Sequence, residues 1–315
     1  MKILTIGDLC ADLVVPIREL PLRPGKHQLA NGCMFVAGGT SNTIIVAARL
    51  GLKTSAIGAV GDDWLGKMVL QQLRDENVSV KYVQSVTGAS TTVSIELVDT
   101  NAQHVFVGAL GKGTAVGLST DQDTILAGVK AVFCTSYALA SHSLFSCSGS
   151  LDILKYAHKC AVPTFFDLGP AAFSIDKDIV EQAIKASTVV LTTMEELIAW
   201  TGSSDKTQAT DEILGIGTEI VVIKCGSEGC IIVSSEEEII LDGFEVTVRD
   251  TAGAGDAFAG AFIYGYLSKY SLAESGTIAN ATGAITVTRV GTGPYVPQRA
   301  EIFDLLESNG VTLGG

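Results

Sequence analysis

The stretch Asp250-Thr-Ala-Gly-Ala-Gly-Asp256 places a carboxylate at each end of a glycine-rich turn, and an apolar run beginning at Ala257 follows it. The alternating segment Phe244 to Val248 reads as a strand entering the turn, and the apolar run as a helix leaving it. Gly253, Ala254 and Gly255 are small enough to leave the backbone N–H groups of that helix start uncovered. Such a start combines unpaired donors with the positive end of the helix dipole, so it holds anions. Asp256, in the first turn beside the anion, could take a proton from an alcohol attacking a bound phosphoryl group. A lone Gly-Ala-Gly would signify a tight turn and Asp256 a dipole-complementing acid; the length of the string carries the chemical reading.

Further residues with chemical potential fall at other apolar-to-polar junctions. Asp12 follows Gly7 at the end of the run Lys2 to Ile6, where it is either a turn cap or an acceptor for hydroxyl donors. Ala37-Gly-Gly-Thr-Ser-Asn42 runs into a helix over Thr43 to Leu50 that Gly51 stops. Asp63 reads as the N-cap of a helix over Leu65 to Glu76. Asp167-Leu-Gly-Pro170, Thr193-Met-Glu-Glu196 and Lys224-Cys-Gly226-Ser-Glu-Gly229 each close a short apolar run. Glu195 and Glu196 also suit a plain first helical turn.

The elements that must position these residues are strands apolar on both sides: Ala131 to Cys134, Val162 to Phe166, Val189 to Thr192 and Ile220 to Lys224. Helical patterns over Leu151 to Cys160, Ile175 to Ala186 and Thr210 to Leu214 separate them. That alternation predicts a mostly parallel sheet covered by helices on both faces, with sites at the carboxyl ends of its strands. Thr91 to Val98 differs, with Val93, Ile95 and Leu97 on one face and Thr92, Ser94 and Glu96 on the other. It predicts a hairpin with His104 to Val107, which forms a small separate sheet with an extended Gln28 to Phe35 or else an edge hairpin of the main sheet.

Asp-Thr-x-Gly-Ala-Gly-Asp between a strand and a helix resembles the signature of the PfkB (ribokinase-like) carbohydrate kinases. The likeness extends from Gly7 to a last helix over Pro297 to Leu306. It implies one α/β domain over 1–315, with a β-sheet lid formed by about 13–36 and 89–108 that also makes a homodimer contact. It implies transfer of the ATP γ-phosphoryl group to a sugar hydroxyl, with Asp256 as general base and the backbone of Gly253, Ala254 and Gly255 holding the transferred charge. Asp12, Gly38, Gly39 and Asn42 would position the acceptor, while Lys224, Gly226, Gly229 and Asn280 would border the nucleotide. Glu196, with Asp167 nearby, would hold Mg²⁺ through water, and Asp250 with carbonyls of Arg289 to Tyr295 would bind K⁺. The chain departs from the family pattern at Ala37, where a glycine is usual, and at Thr193, where asparagine is usual. Cys10 stands where ribose-type members carry asparagine, and Thr135 to Ala138 offers no acidic contact, so ribose is disfavoured. A nucleoside kinase with a base stacked on Phe35 or Phe106 is the first alternative, and a ligand-binding regulator that keeps the fold without turnover is the second.

Composition narrows the classes further. The 315 residues hold 21 Lys+Arg against 34 Asp+Glu, a net charge of −13, which argues against nucleic acid as a partner. Seven cysteines form no Cys-x-x-Cys pair and read as reduced thiols, so a cytoplasmic location is expected. No long apolar run predicts a membrane span, and no Gly-x-Gly-x-x-Gly follows the first strand to suggest a dinucleotide oxidoreductase.

Overall fold

The computed structural model describes residues 1–140 and 143–314. In chain order the strands are β1 (Lys2–Ile6), β2 (Leu9–Pro16), β3 (Met34–Gly39), β4 (Lys53–Gly61), β5 (Ser79–Val86), β6 (Val93–Val98), β7 (His104–Ala109) and β8 (Val129–Thr135). There follow β9 (Thr164–Asp167), β10 (Val189–Thr193), β11 (Ile220–Lys224), β12 (Cys230–Ser234) and β13 (Glu238–Leu241). Nine of them form one sheet in the order β13-β12-β11-β10-β9-β8-β1-β4-β5. Neighbours from β11 to β5 run parallel, and the β12–β13 hairpin adds an antiparallel edge.

Two cores follow from the double-sided apolar strands. Ile3 and Leu4, Phe165 and Phe166, and Val189 and Val190 are consecutive residues that enter opposite cores, as strand geometry requires. Helices Ser41–Arg49, Trp64–Asp75, Ala254–Leu267, Leu272–Thr286 and Arg299–Ser308 close one core. Helices Cys147–Lys159, Lys177–Lys185, Met194–Thr201 and Lys206–Ile216 close the other. Parallel strands with helices on both faces place their loops, and hence the site, at one end of the sheet.

The remaining strands form a separate sheet in the order β3-β2-β6-β7. Asp63 ties this sheet to the body. Its carboxylate caps the helix Trp64–Asp75 by accepting from Gly66 N at 2.8 Å, and it also accepts from Thr91 N at 2.8 Å and Thr91 Oγ1 at 2.7 Å, just before β6. The polar face of β6 points inward: Thr92 and Ser94 border a cavity and Glu96 is fully buried. The alternation is as the sequence predicts, yet the polar face is the one turned to the body.

Beyond shifts of a few residues at helix ends, such as Lys206–Ile216 for the expected Thr210 to Leu214, three differences from expectation have a local cause. The extended segment begins at Met34 rather than Gln28, because Gly32 turns the chain at φ 119° and pairing with β2 starts at Val14↔Met34. Gly38 and Gly39 end that strand instead of opening a helix, and the helix begins at Ser41. Phe244 to Val248 is not a strand. β13 is the last strand of that edge, so the segment has no ladder partner, and it borders a cavity instead.

Candidate active site

Gly253, at φ 70°, starts the helix Ala254–Leu267, and no side chain caps it. A left-handed residue here favours glycine, since a Cβ in this conformation costs about 1–2 kcal/mol. The uncapped start is the wall between two cavities. Ala252, Gly253 and Asp256 border the first, of about 410 Å³. Thr251, Ala254 and Gly255 border the second, of about 1190 Å³. Backbone donors and the dipole end therefore stand where the two spaces meet.

Asp256 is held from the first cavity's side. Its Oδ2 accepts from Asn42 Nδ2 at 3.0 Å, and Asn42 Oδ1 accepts from Gly293 N at 2.6 Å. The backbone donor thus fixes which end of the Asn42 amide faces the acid. Burial pushes the Asp256 carboxyl up to about 7, against the pull of the Asn42 bond, with Asp167 and Asp12 adding to the rise and Lys224 opposing it. Asp12, 7% exposed, accepts from Thr292 Oγ1 at 2.6 Å. Burial lifts it to about 6, with the Thr292 and Cys10 bonds pulling down.

The two glycines before Asn42 make room for carboxylates. A Cβ on Gly38 would lie 1.9 Å from Asp12 Oδ1. On Gly39, at φ 60°, it would lie 2.3 Å from the Asp8 carbonyl oxygen and 2.8 Å from Asp8 Oδ2. Asp8 borders the first cavity and accepts from Thr135 Oγ1 at 3.3 Å. Its own burial, and then the charge of Asp256, lift it to about 7.

On the other side Lys224, Gly226, Gly229 and Asn280 all border the second cavity. Gly229 has φ 95°, and a Cβ there would meet Leu241 O at 2.0 Å, so the turn closes tightly onto the end of β13. Asn280 reaches the same place, donating to Asp242 O at 3.1 Å. Lys224 Nζ donates to Asp167 Oδ2 at 2.7 Å, and a Cβ on Gly255 would sit 3.4 Å from that nitrogen. Burial would lower the Lys224 pKa, but the Asp167 and Glu196 carboxylates outweigh it and hold the ammonium above its ordinary value. Glu196 makes a capping box with Thr193: Oε2 accepts from Thr193 N at 2.8 Å and Thr193 Oγ1 accepts from Glu196 N at 3.2 Å. Thr193 thus starts the helix at the border of the second cavity, which it lines with Met194 and Glu195, whereas Glu196 lies behind them, outside its lining.

Asp250 clamps two loops, accepting from Ala252 N and from Gly291 N, each at 3.0 Å. Against it lies the buried Glu96, whose carboxyl is pushed up to about 9 by burial first and then by a hydrogen bond with Asp250. Sequence reading did not single out Asp8, Thr292, Gly293 or a buried role for Glu96. Asp8 had one available signal, its place directly after the strand-ending Gly7. Phe106 borders the first cavity, whereas Phe35 packs edge-on against Trp64 at 5.1 Å and does not.

An uncapped helix start, a first-turn acid and a cavity on either side fit a phosphotransferase, and it is comparison with known proteins that shows the class. The model of the pfkB family carbohydrate kinases matches residues 1–299, and the chain belongs to that family. It is a carbohydrate kinase with the ribokinase fold. An uncharacterized sugar kinase of Archaeoglobus fulgidus is 30% identical over 81% of this chain and 99% of its own. A 5-dehydro-2-deoxygluconokinase of Bacillus thuringiensis is 26% identical over 98% of this chain and 95% of its own. Among solved structures, Arabidopsis thaliana ribokinase complexed with ribose and ATP has a TM-score of 0.81 at 25% identity, covering 97% of this chain and 98% of its own.

Proposed function

We propose that this protein transfers the γ-phosphoryl group of ATP to a hydroxyl of a small sugar, with Asp256 as the general base. The observation that carries this reading is the position of Asp256 in the wall between the two cavities, beside backbone donors that no side chain covers. ATP would occupy the larger cavity, with its phosphates at Gly255 and Lys224, and the sugar the smaller one. A hydroxyl brought to Asp256 gives its proton to the carboxylate as its oxygen bonds the γ-phosphorus. The bond from that phosphorus to the β-phosphate oxygen breaks, and ADP leaves with the electron pair. N–H groups of Gly253, Ala254 and Gly255 hold the charge on the transferred group, Ala254 N releasing its long 3.4 Å bond to Thr251 O as it does so. Asp12 orients the acceptor, and Asn42 orients Asp256.

The residues present fit Mg²⁺ as an outer-shell ion: Glu196 and Asp167 are oxygen donors beside Lys224, and one Glu196 oxygen lies outside the capping box. Bound with ATP, Mg²⁺ would neutralise phosphate charge. Asp250, buried against Glu96 at the clamped loops, would hold K⁺ together with carbonyls of Arg289 to Tyr295. Thr92 and Ser94 make the small sheet a lid over the sugar, and the exposed edge residues Val105, Phe106 and Val107, at 44%, 50% and 51%, support edge-to-edge pairing of two lids. The test is ADP release from Mg-ATP across a panel of sugars and nucleosides, wild type beside Asp256→Asn. Turnover with a sugar and a loss of about 10²-fold or more in the variant are expected. Full turnover by the variant would remove Asp256 as the base, and activity with nucleosides alone would move the acceptor to that class.

A further inference from the structure

The smaller cavity is bordered by three carboxylates, Asp8, Asp12 and Asp256, and among its described lining residues there is no lysine or arginine. Lys224 borders the other cavity and is paired with Asp167 at 2.7 Å. Asp12 and Asp256 each have a near neutral donor, Thr292 Oγ1 at 2.6 Å and Asn42 Nδ2 at 3.0 Å. Asp8 has Thr135 Oγ1 at 3.3 Å, so most of its acceptor capacity is free. Its place is nonetheless fixed. The Asp8 carbonyl accepts from Thr40 N at 3.3 Å, and the bare Cα of Gly39 leaves space beside Oδ2 that any side chain would fill.

Resting on the kinase reading of this cavity, we propose that Asp8 is a specificity-determining residue, accepting a hydroxyl of an uncharged sugar and rejecting acceptors that carry a carboxylate or phosphate. An uncharged polyol satisfies the carboxylates with hydroxyl donors. An anionic acceptor meets them with no lysine or arginine among the described lining residues to offset the repulsion. Two like charges about 6 Å apart at an effective dielectric of about 20 disfavour each other by about 100-fold in binding. Asp8 also differs from Asp256 in what its loss should do. A sugar-binding acceptor affects mainly KM, whereas a base affects kcat.

The experiment compares matched acceptors: neutral sugars, the aldonic and uronic acids derived from them, and their phosphate esters. Wild type should turn over a neutral sugar with kcat/KM about 100-fold or more above its acid counterpart. In Asp8→Asn the KM for that sugar should rise about 10-fold, kcat should fall far less than in Asp256→Asn, and the penalty against the acid should shrink about 10-fold. Circular dichroism establishes that the variant is folded, and Asp8→Ser replaces it if it is not. Calorimetric binding of the same sugars with a non-hydrolysable ATP analogue decides independently of turnover. If no acceptor releases ADP yet the neutral sugar binds better than its acid, the kinase reading fails and the selectivity stands. An acid or phosphate ester preferred in either assay, or discrimination unchanged in Asp8→Asn, overturns the proposal.

Discussion

Replacing Asn42 by alanine separates the charge state of Asp256 from its position. The amide donates to Asp256 Oδ2 at 3.0 Å, and this bond favours the ionised carboxylate, whose pKa burial has raised to about 7. A hydrogen bond to a charged group contributes about 1.5–3 kcal/mol, and one pKa unit corresponds to about 1.4 kcal/mol. Loss of the bond should therefore lift the Asp256 pKa by about 1–2 units, to about 8–9. A base must be ionised to act, so the rising limb of kcat against pH moves with it. At pH 7 the ionised fraction drops from about a half to between a tenth and a hundredth, a loss of about 5- to 50-fold that should recover above about pH 9. Gly293 N also loses its acceptor at 2.6 Å, so a separate loss of stability of about 1–3 kcal/mol is expected and is read as a shift in Tm. Initial rates of ADP release at saturating sugar across the pH range provide the profile. A rate that falls equally at every pH, with the rising limb unmoved, would falsify the claim that Asn42 sets the charge of Asp256.

Gly229→Ala should raise KM for ATP about 10-fold and lower Tm while leaving KM for the sugar near its wild-type value, since the new Cβ would meet Leu241 O at 2.0 Å at the edge of the larger cavity. An unchanged KM for ATP would place the nucleotide elsewhere. The stability of the unliganded protein should fall as pH rises from about 4 to about 8. Asp8, Asp12 and Asp256 have folded values of about 7, 6 and 7 against 3.8, so the folded state binds more protons in this window and loses that advantage as they ionise. Even one net pKa unit realised among the coupled acids is about 1.4 kcal/mol, or about 2–4 °C in Tm, and a Tm that climbs between those pH values contradicts the burial argument.

Legibility in the sequence followed the range of the interactions. Strands such as Val189–Thr193 and Ile220–Lys224 declare themselves because burial on both faces leaves an unbroken apolar run. β5 does not, because an edge strand carries Lys81, Gln84 and Ser85 among its apolar residues. The start of the helix Ala254–Leu267 is visible because its glycines and acid are contiguous. Thr292 is invisible because its partner Asp12 lies 280 residues away, and a threonine carries no sign of the carboxylate it will meet. Phe244 to Val248 misleads for a related reason: a chain with one side toward a cavity alternates like a strand without having a ladder. Glu96 is the sharpest case, since an acid in an alternating strand marks the solvent face unless another element covers it, and here the body of the protein does.

The same burial that weakens the unliganded protein also fits Asp256 to its proposed task. A carboxylate at its ordinary value would be fully ionised near neutrality, yet it would draw a proton only weakly from an alcohol. Raised to about 7, Asp256 keeps about half its population ionised at that pH and becomes a stronger base. Asp12 contributes to that rise, so an acid that binds the acceptor also helps to tune the acid that deprotonates it. The glycines then follow as a consequence: Gly38 leaves the volume in which Asp12 can sit close enough to exert this effect, and Gly39 the volume for Asp8, which Asp256 raises in turn. A side chain at either position would displace a carboxylate, and the acceptor contact and the local charge balance would be lost together.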